Sequence, residues 1–296
     1  MDIHTIDINF FKPGSIASFL IETRDGPFLI ETGPDTTFKN LTASLNRLGY
    51  AVKDIKNVFV SHIHLDHAGA AWHFAEAGAT IHVHGNGARH MADPSKLIAS
   101  AKQIYKEDMD RLWGQIRPVP ADRTHATTDG ETVNIGGVSV QVMETPGHAS
   151  HHNVYRIDNV MFTGDIGGVR IKSGPVFAPT PPPDINVEVW RESIKKIRQL
   201  KPSTLYLTHF GMFNDVTEHL ERLEDMLLQW TDWIGSRLKQ GKQDEIIIKE
   251  FEVYFKGLIQ QINGDEGLFE RYELADPAYM NAPGLIRYWR KFRAGK

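Results

Sequence analysis

Between positions 61 and 67 the chain reads Ser-His-Ile-His-Leu-Asp-His, directly after the apolar run Val58-Phe59-Val60. On a strand, side chains two apart share a face, so His62 and His64 can converge on one point. Asp66 and His67 fall in the turn before the next helix and reach a second point nearby. Three histidines and an aspartate within six residues are the donors of a site for a hard-to-intermediate metal ion. The chain has no cysteine, which excludes disulfides, thiolate nucleophiles, iron–sulfur clusters and Cys-type zinc sites. Any metal is therefore held by imidazole and carboxylate. There is no Gly-x-Ser-x-Gly elbow to carry a serine nucleophile.

Three later segments share one form, a β-like run that ends in a potential donor on a turn. They are Thr145-Pro146-Gly147-His148, Phe162-Thr163-Gly164-Asp165 and Leu207-Thr208-His209-Phe210-Gly211. Each alone reads as a turn; in this order after the histidine cluster they form a constellation. On SHIHLDH at 61–67, PGH at 146–148, GD at 164–165 and THFG at 208–211, the chain resembles the metallo-β-lactamase superfamily of hydrolases. The resemblance covers about residues 3–211 and is strongest to the glyoxalase II-like branch.

That resemblance implies an α+β fold, a four-layer αβ/βα sandwich with a dinuclear metal site at one edge of its two sheets. It implies that His62, His64 and His148 hold one divalent ion, that Asp66, His67 and His209 hold a second, and that Asp165 bridges them. The ions would be zinc, with iron or manganese as other occupants of a His-rich site. The implied reaction is attack of a metal-bridging hydroxide on an ester, thioester or lactone carbonyl, with Asp66 and Asp165 as catalytic residues. Two rival readings use the same ligands: a mononuclear iron sulfur dioxygenase of the persulfide dioxygenase type, and a phosphodiesterase or nuclease.

The stretch after Asp165, IGGVRIKSGPVFAPTPPP, departs from the glutathione-using enzymes, which place Lys and Tyr there in a different context. Gly168 stands where the family's quorum-signal lactonases carry Tyr, and Glu31 where the early turn usually has Asp. Glu31 reads as a support for the ligands or the fold. Among the other histidines, His73, His82, His84 and His90 read as structural or exposed, whereas His151 and His152 could line the site or orient its ligands. Pro175, Pro179, Pro181, Pro182 and Pro183 stiffen a segment that follows Asp165 and forms one wall of a pocket.

The elements that must position these residues follow from periodicity. Runs at 3–9, 16–22, 27–31, 58–60, 80–84, 133–135, 138–144, 153–157, 160–162 and 204–207 read as strands. Asp25-Gly26 and Gly136-Gly137 mark hairpin turns. Helices are expected at 38–48, 69–77, 93–113 (Asp93 as N-cap) and 187–200. From Asn214 the pattern is helical only. Val216, Leu220, Leu223, Leu227, Trp230, Ile234 and Leu238 form a continuous apolar stripe, and helices follow near 243–262 and 284–292. Residues 1–213 thus read as the metal-binding domain and 214–296 as a C-terminal helical extension, whose stripe packs on the sheets or across a homodimer. The five basic residues of 287–296 form a solvated face or an anchor for an acidic substrate tail.

The 296 residues are enough for a large core, and 41% hydrophobic with 24% charged residues is ordinary globular composition. A net charge of −4 speaks against nucleic acid, whose phosphates call for a basic excess. No apolar run approaches the roughly 20 residues of a membrane helix, and the N-terminus carries no basic leader. The expectation is a cytoplasmic enzyme acting on a small molecule.

Overall fold

Two six-stranded sheets dominate the computed structural model, which describes residues 2–262 and 267–293. The first runs in chain order: β1 (Ile3–Asp7), β2 (Ala17–Ile21), β3 (Phe28–Ile30), β4 (Asn57–Phe59), β5 (Thr80–His84) and β6 (Thr124–Thr127). Its first three strands are antiparallel and the rest are parallel. The second comprises β7 (Thr132–Ile135), β8 (Val138–Glu144), β9 (Asn153–Ile157), β10 (Val160–Phe162), β11 (Thr204–Leu207) and β12 (Gly211–Phe213). It is antiparallel except where β10 pairs β11. Gly136 and Gly137 both take positive φ, as the two-residue turn between β7 and β8 requires.

Because side chains alternate along a strand, each sheet is apolar on both faces. Phe19, Phe28 and Phe59 of the first sheet meet Val142, Tyr155 and Phe162 of the second between the layers. Leu20, Leu29, Val58 and Ile81 point outward and are covered by helices α1 (Phe38–Arg47), α2 (Leu65–Ala68) and α3 (Ala71–Glu76). Helices α4 (Gly85–Ala92), α5 (Ser95–Tyr105) and α6 (Met109–Trp113) follow β5. On the far side, Val154, Met161, Leu205 and Leu207 pack against α7 (Val187–Gln199) and α8 (Val216–Lys239). Helices α9 (Asp244–Gln260), α10 (Leu268–Ala275) and α11 (Ala278–Tyr288) join the same core. This is the expected αβ/βα sandwich with C-terminal helices.

Several expectations are corrected. The helix expected over 93–113 is two helices, because Lys106 adopts φ 47° and breaks the run. Asp93 does not hold the N-cap position, which falls to Pro94, yet its Oδ1 accepts from Ser95 N at 3.1 Å. The helix expected at 284–292 starts six residues earlier, at Ala278, with Pro283 inside it. Helices α4 and α10 and strands β6 and β12 have no counterpart among the expected elements. The α8 stripe packs inside the chain: Leu220, Leu223, Leu227, Trp230 and Ile234 are buried. The basic C-terminal stretch is engaged within the chain. Arg287 donates to the Pro183 carbonyl, Arg290 pairs with Asp244 and Arg293 with Glu188; Lys296 lies outside the described residues. No helix of the described residues is long and apolar enough to cross a membrane.

Trp230 is fully buried, with its ring centroid 5.0 Å from that of Phe177 and 5.1 Å from that of Phe251. It ties α8 to α9 and to the proline-rich segment. Trp230→Ala is expected to cost about 3–5 kcal/mol, read by urea unfolding. A loss under about 1 kcal/mol would show that the helices do not share the sheets' core.

Candidate metal centre

All seven expected donors gather at one edge of the two sheets. Sheet one supplies four from the segment after β4. His64 sits just before α2, and Asp66 and His67 lie within it rather than in a turn ahead of it. Sheet two supplies His148, Asp165 and His209 from the turns after β8, β10 and β11. Two glycines make those turns possible. Gly147 has φ 141°, and a Cβ there would lie 2.3 Å from the Trp190 backbone. Gly164 has φ 48°, and its Cβ would lie 2.5 Å from Ser61 Oγ. The edge is stitched by backbone bonds between the sheets, Asn153 N to Ser61 O at 2.7 Å and Ala17 N to Thr208 O at 2.8 Å.

The donors form two groups, His62, His64, His148 and Asp165, and Asp66, His67 and His209. In the first, His64 Nδ1 lies 2.8 Å from His62 Nε2 and 3.1 Å from His148 Nε2. Asp165 Oδ2 lies 3.2 Å from His148 Nε2 and 3.9 Å from His62 Nε2. In the second, Asp66 Oδ2 is 3.5 Å from His67 Nε2 and 3.3 Å from His209 Nε2. Asp165 Oδ1 reaches the same two nitrogens at 3.2 and 3.4 Å. Four donors at zinc-ligand distances on a tetrahedron are about 3.4 Å apart, so both groups have the spacing of a coordination shell. His67 Nε2, His209 Nε2 and Asp165 Oδ1 are buried with no hydrogen-bond partner. Buried polar atoms are rarely left so. Their convergence on one point fits a cation, and the donor chemistry fits a divalent one.

Four of the five rings, all but that of His64, are aimed from behind, the arrangement that fixes the tautomer of ligating histidines. His148 Nδ1 donates to Pro179 O at 2.8 Å and His209 Nδ1 to Ser15 O at 2.9 Å. His62 Nδ1 lies 3.0 Å from Ser61 Oγ. Glu31, 1% exposed, sets Oε1 3.2 Å from His67 Nδ1 and accepts from Ser61 N. That is the supporting role expected of it. His152 accepts from Ile166 N and its Nδ1 is 3.0 Å from Thr145 Oγ1, so it braces the turn carrying Asp165. His151 lines the adjoining cavity. The remaining histidines are structural where they pair: His73 with Asp35, and His82 with Asn57.

Burial, then the neighbouring imidazoles, lowers His62 well below the ordinary histidine range and His64 to about 3, leaving neutral rings with free lone pairs. Burial alone would raise the two aspartates. Only together do the histidines outweigh it, His67 with His148 at Asp165 and with His209 at Asp66; Asp165 falls well below its usual range and Asp66 to about 2. The same carboxylates raise His67 and His209 against the effect of burial. The two carboxylates, Asp165 buried and Asp66 partly exposed, thus call for positive charge at this point.

A cavity of about 750 Å³ opens over the cluster, with His64, Asp66 and Asp165 in its wall. The other walls come from α4–α6, the proline segment and residues 273–280 of the C-terminal helices. Asp276, on that wall and 3% exposed, was missed by sequence reasoning, since an aspartate at a helix end reads as a cap. Its Oδ1 accepts from Asn281 Nδ2 at 2.7 Å, whereas Oδ2 has no partner, and burial raises its pKa to about 8. Below the unfolded value of 3.8 the carboxyl is protonated in both states. Between 3.8 and about 8 only the unfolded chain releases the proton, so folding loses stability as pH rises through that window. Asp276→Asn removes the penalty. In chelator-treated protein its Tm relative to wild type should climb from pH 5 to pH 8, and a constant difference would show that the carboxyl is not held protonated.

Comparisons with known proteins agree with this geometry. The chain is 28% identical over 221 residues to the metallo-beta-lactamase fold-containing protein ST1585 of Sulfurisphaera tokodaii, covering 72% of this chain and 79% of that protein. It is 25% identical over 236 residues to a hydroxyacylglutathione hydrolase of Hyphomonas neptunium, covering 78% and 73%. The crystal structure of the metallo-beta-lactamase family protein TTHA1429 from Thermus thermophilus shares the fold, with a TM-score of 0.70 at 18% identity over 99% of this chain and 94% of that one. The family model for the metallo-beta-lactamase superfamily matches residues 11–209, a span that contains all seven donors, and the chain belongs to that superfamily.

Proposed function

We propose that the protein is a dinuclear metallo-hydrolase that cleaves an ester, thioester or lactone, with residues 1–213 as the metal-binding domain and 214–296 as a helical segment that completes the pocket. His62, His64 and His148 hold one ion, Asp66, His67 and His209 a second, and Asp165 serves both. One observation carries this reading: the two oxygens of Asp165 face different histidine groups, Oδ2 toward His148 and His62, Oδ1 toward His67 and His209. Imidazole and carboxylate donors suit zinc, the ion assigned here. Divalent ions held there supply an activated water and a Lewis acid for the carbonyl oxygen.

The chain's own residues do the rest. Asp66, with its side chain 20% exposed, is more open than the fully buried histidines around it, and Oδ2 accounts for its ion pairs. Its other oxygen is assigned the proton of the attacking water, which it returns to the leaving group. The proline segment holds His148 through Pro179 and screens the site from bulk water.

Three measurements test the proposal. Metal analysis of purified protein should give two zinc ions per chain, with hydrolysis of some ester, thioester or lactone and no oxygen uptake. A single iron with oxygen consumption would replace it with the dioxygenase reading. Asp165→Ala should reduce kcat/KM by at least about a thousandfold and leave at most one ion; full activity with both ions would rule out the shared carboxylate. Glu31→Gln should weaken the ion held by Asp66, His67 and His209 about 10–100-fold in chelator competition while the fold persists. Unchanged affinity would show that Glu31 does not orient His67.

A further inference from the structure

The cavity over the donor cluster is far from uniform. Along α5, Leu97, Ala101, Ile104 and Tyr105 all face it, spaced by four, three and one residues as one side of a helix. Leu65 and Met280 add to the same apolar lining. An amphipathic helix ordinarily seats its stripe on protein; here part of the stripe bounds an enclosed space. Tyr105 stands at the C-terminal end of α5, its ring centroid 4.9 Å from that of Trp113, which lines the same cavity.

The other end of α5 is cationic. Lys96 and, from α4, Arg89 line the cavity there with His90 between them. His90 registers both, lowered by burial and then by the charges of Arg89 and Lys96, with the Asp93 and Asp184 carboxylates acting the other way. Among the described residues neither cation forms an ion pair; Arg89 only donates to His90 Nε2 at 3.3 Å. The contrast within the cavity is Arg111, whose charge is taken by Asp108 at 2.8 Å. At 1.5 Å per residue, Lys96 and Tyr105 are about 13 Å apart along the helix.

We infer that the substrate is an amphiphilic acyl ester or thioester: its scissile carbonyl lies at the donor cluster, its apolar chain along α5, and its anionic terminus between Arg89 and Lys96. This rests on the hydrolase reading and specifies its substrate class. Water's oxygen joins the acyl carbon as the bond to the leaving oxygen or sulfur breaks. The protons divide between the new carboxylic acid and the leaving group. The charged terminus takes no part in the reaction and serves only to hold and register the chain.

The test uses the mono-p-nitrophenyl ester of dodecanedioic acid, whose free carboxylate stands at the far end of a chain of matching length, beside neutral p-nitrophenyl dodecanoate. With the zinc-loaded protein, kcat/KM for the charged ester should exceed that for the neutral one at least tenfold. The ratio should fall toward one in 0.5 M NaCl and in the Arg89→Ala/Lys96→Ala variant, chiefly through KM. Both residues are exposed, so the variant should fold. A second arm needs no turnover. Quenching of Trp113, in the cavity wall, reports binding of monomethyl dodecanedioate against methyl dodecanoate. A tenfold tighter charged ligand, lost in the variant, supports the subsite even if neither ester is hydrolysed, an outcome that would instead count against the hydrolase reading. Equal handling of charged and neutral partners in both arms overturns the inference, as does a preference that survives the double substitution.

Discussion

The buried carboxylate of Asp165 is the constraint around which the rest of this structure is arranged. It is 4% exposed, and a lone charge so far from water is not tolerated unless opposite charge and hydrogen bonds surround it. Two groups of histidines meet it, one at each oxygen, and Asp66 brings a second negative charge to the same place. Neutral imidazoles alone cannot balance two carboxylates. Without metal, protons on His67 and His209 offer a partial answer, which is why both titrate high. A divalent cation offers a better one, and it uses the three buried atoms that otherwise have no partner.

That demand explains why the two sheets must end in register. Four donors come from one sheet and three from the other, so a slip between the sheets would separate them. The Asn153–Ser61 and Ala17–Thr208 backbone bonds fix the edge, and Tyr155 of sheet two donates to the Val60 carbonyl of sheet one at 2.8 Å. Between the layers the aromatic side chains interlock, with Phe19 and Phe28 on one sheet and Tyr155 and Phe162 on the other. The core is therefore also the jig that holds the donors at coordination spacing.

What could be read in the sequence follows the same physics. The seven donors were legible because each sits on a turn or a short helix just after a strand, and that chemistry is written locally in Pro146-Gly147, Thr163-Gly164 and the strand before His62. Strand β3 was legible because burial on both faces leaves a continuous apolar run, Phe28-Leu29-Ile30. Helix α4 was not, since Gly85-Asn86-Gly87 is poor helical sequence; His84 Nδ1, accepting from Asn86 N at 2.9 Å, starts it instead. Strand β6, Thr-His-Ala-Thr, is held by its parallel pairing to β5, which no local pattern records. Asp276 was invisible for a related reason: its burial is set by a cavity wall assembled from segments far apart in the chain.

The C-terminal helices show how a distant segment can govern the metal edge without supplying a donor. The proline segment that holds His148 through Pro179 is itself held from behind. Thr180 N donates to Asn281 Oδ1 at 2.6 Å, and Thr180 Oγ1 lies 3.2 Å from the Asn281 carbonyl. Tyr272 donates to the Pro175 carbonyl and Arg287 to that of Pro183. At Gly284 a Cβ would lie 1.9 Å from the Thr180 carbonyl, so α11 approaches the segment as closely as backbone allows. Asn281 also donates to Asp276, which joins this clamp to the cavity over the donor cluster. Prolines reduce the segment's freedom before folding, and the clamp removes what remains. The imidazole of His148 is therefore positioned by a chain of contacts that begins on α11. The helices that cover sheet two serve the chemistry as well as the stability of the fold.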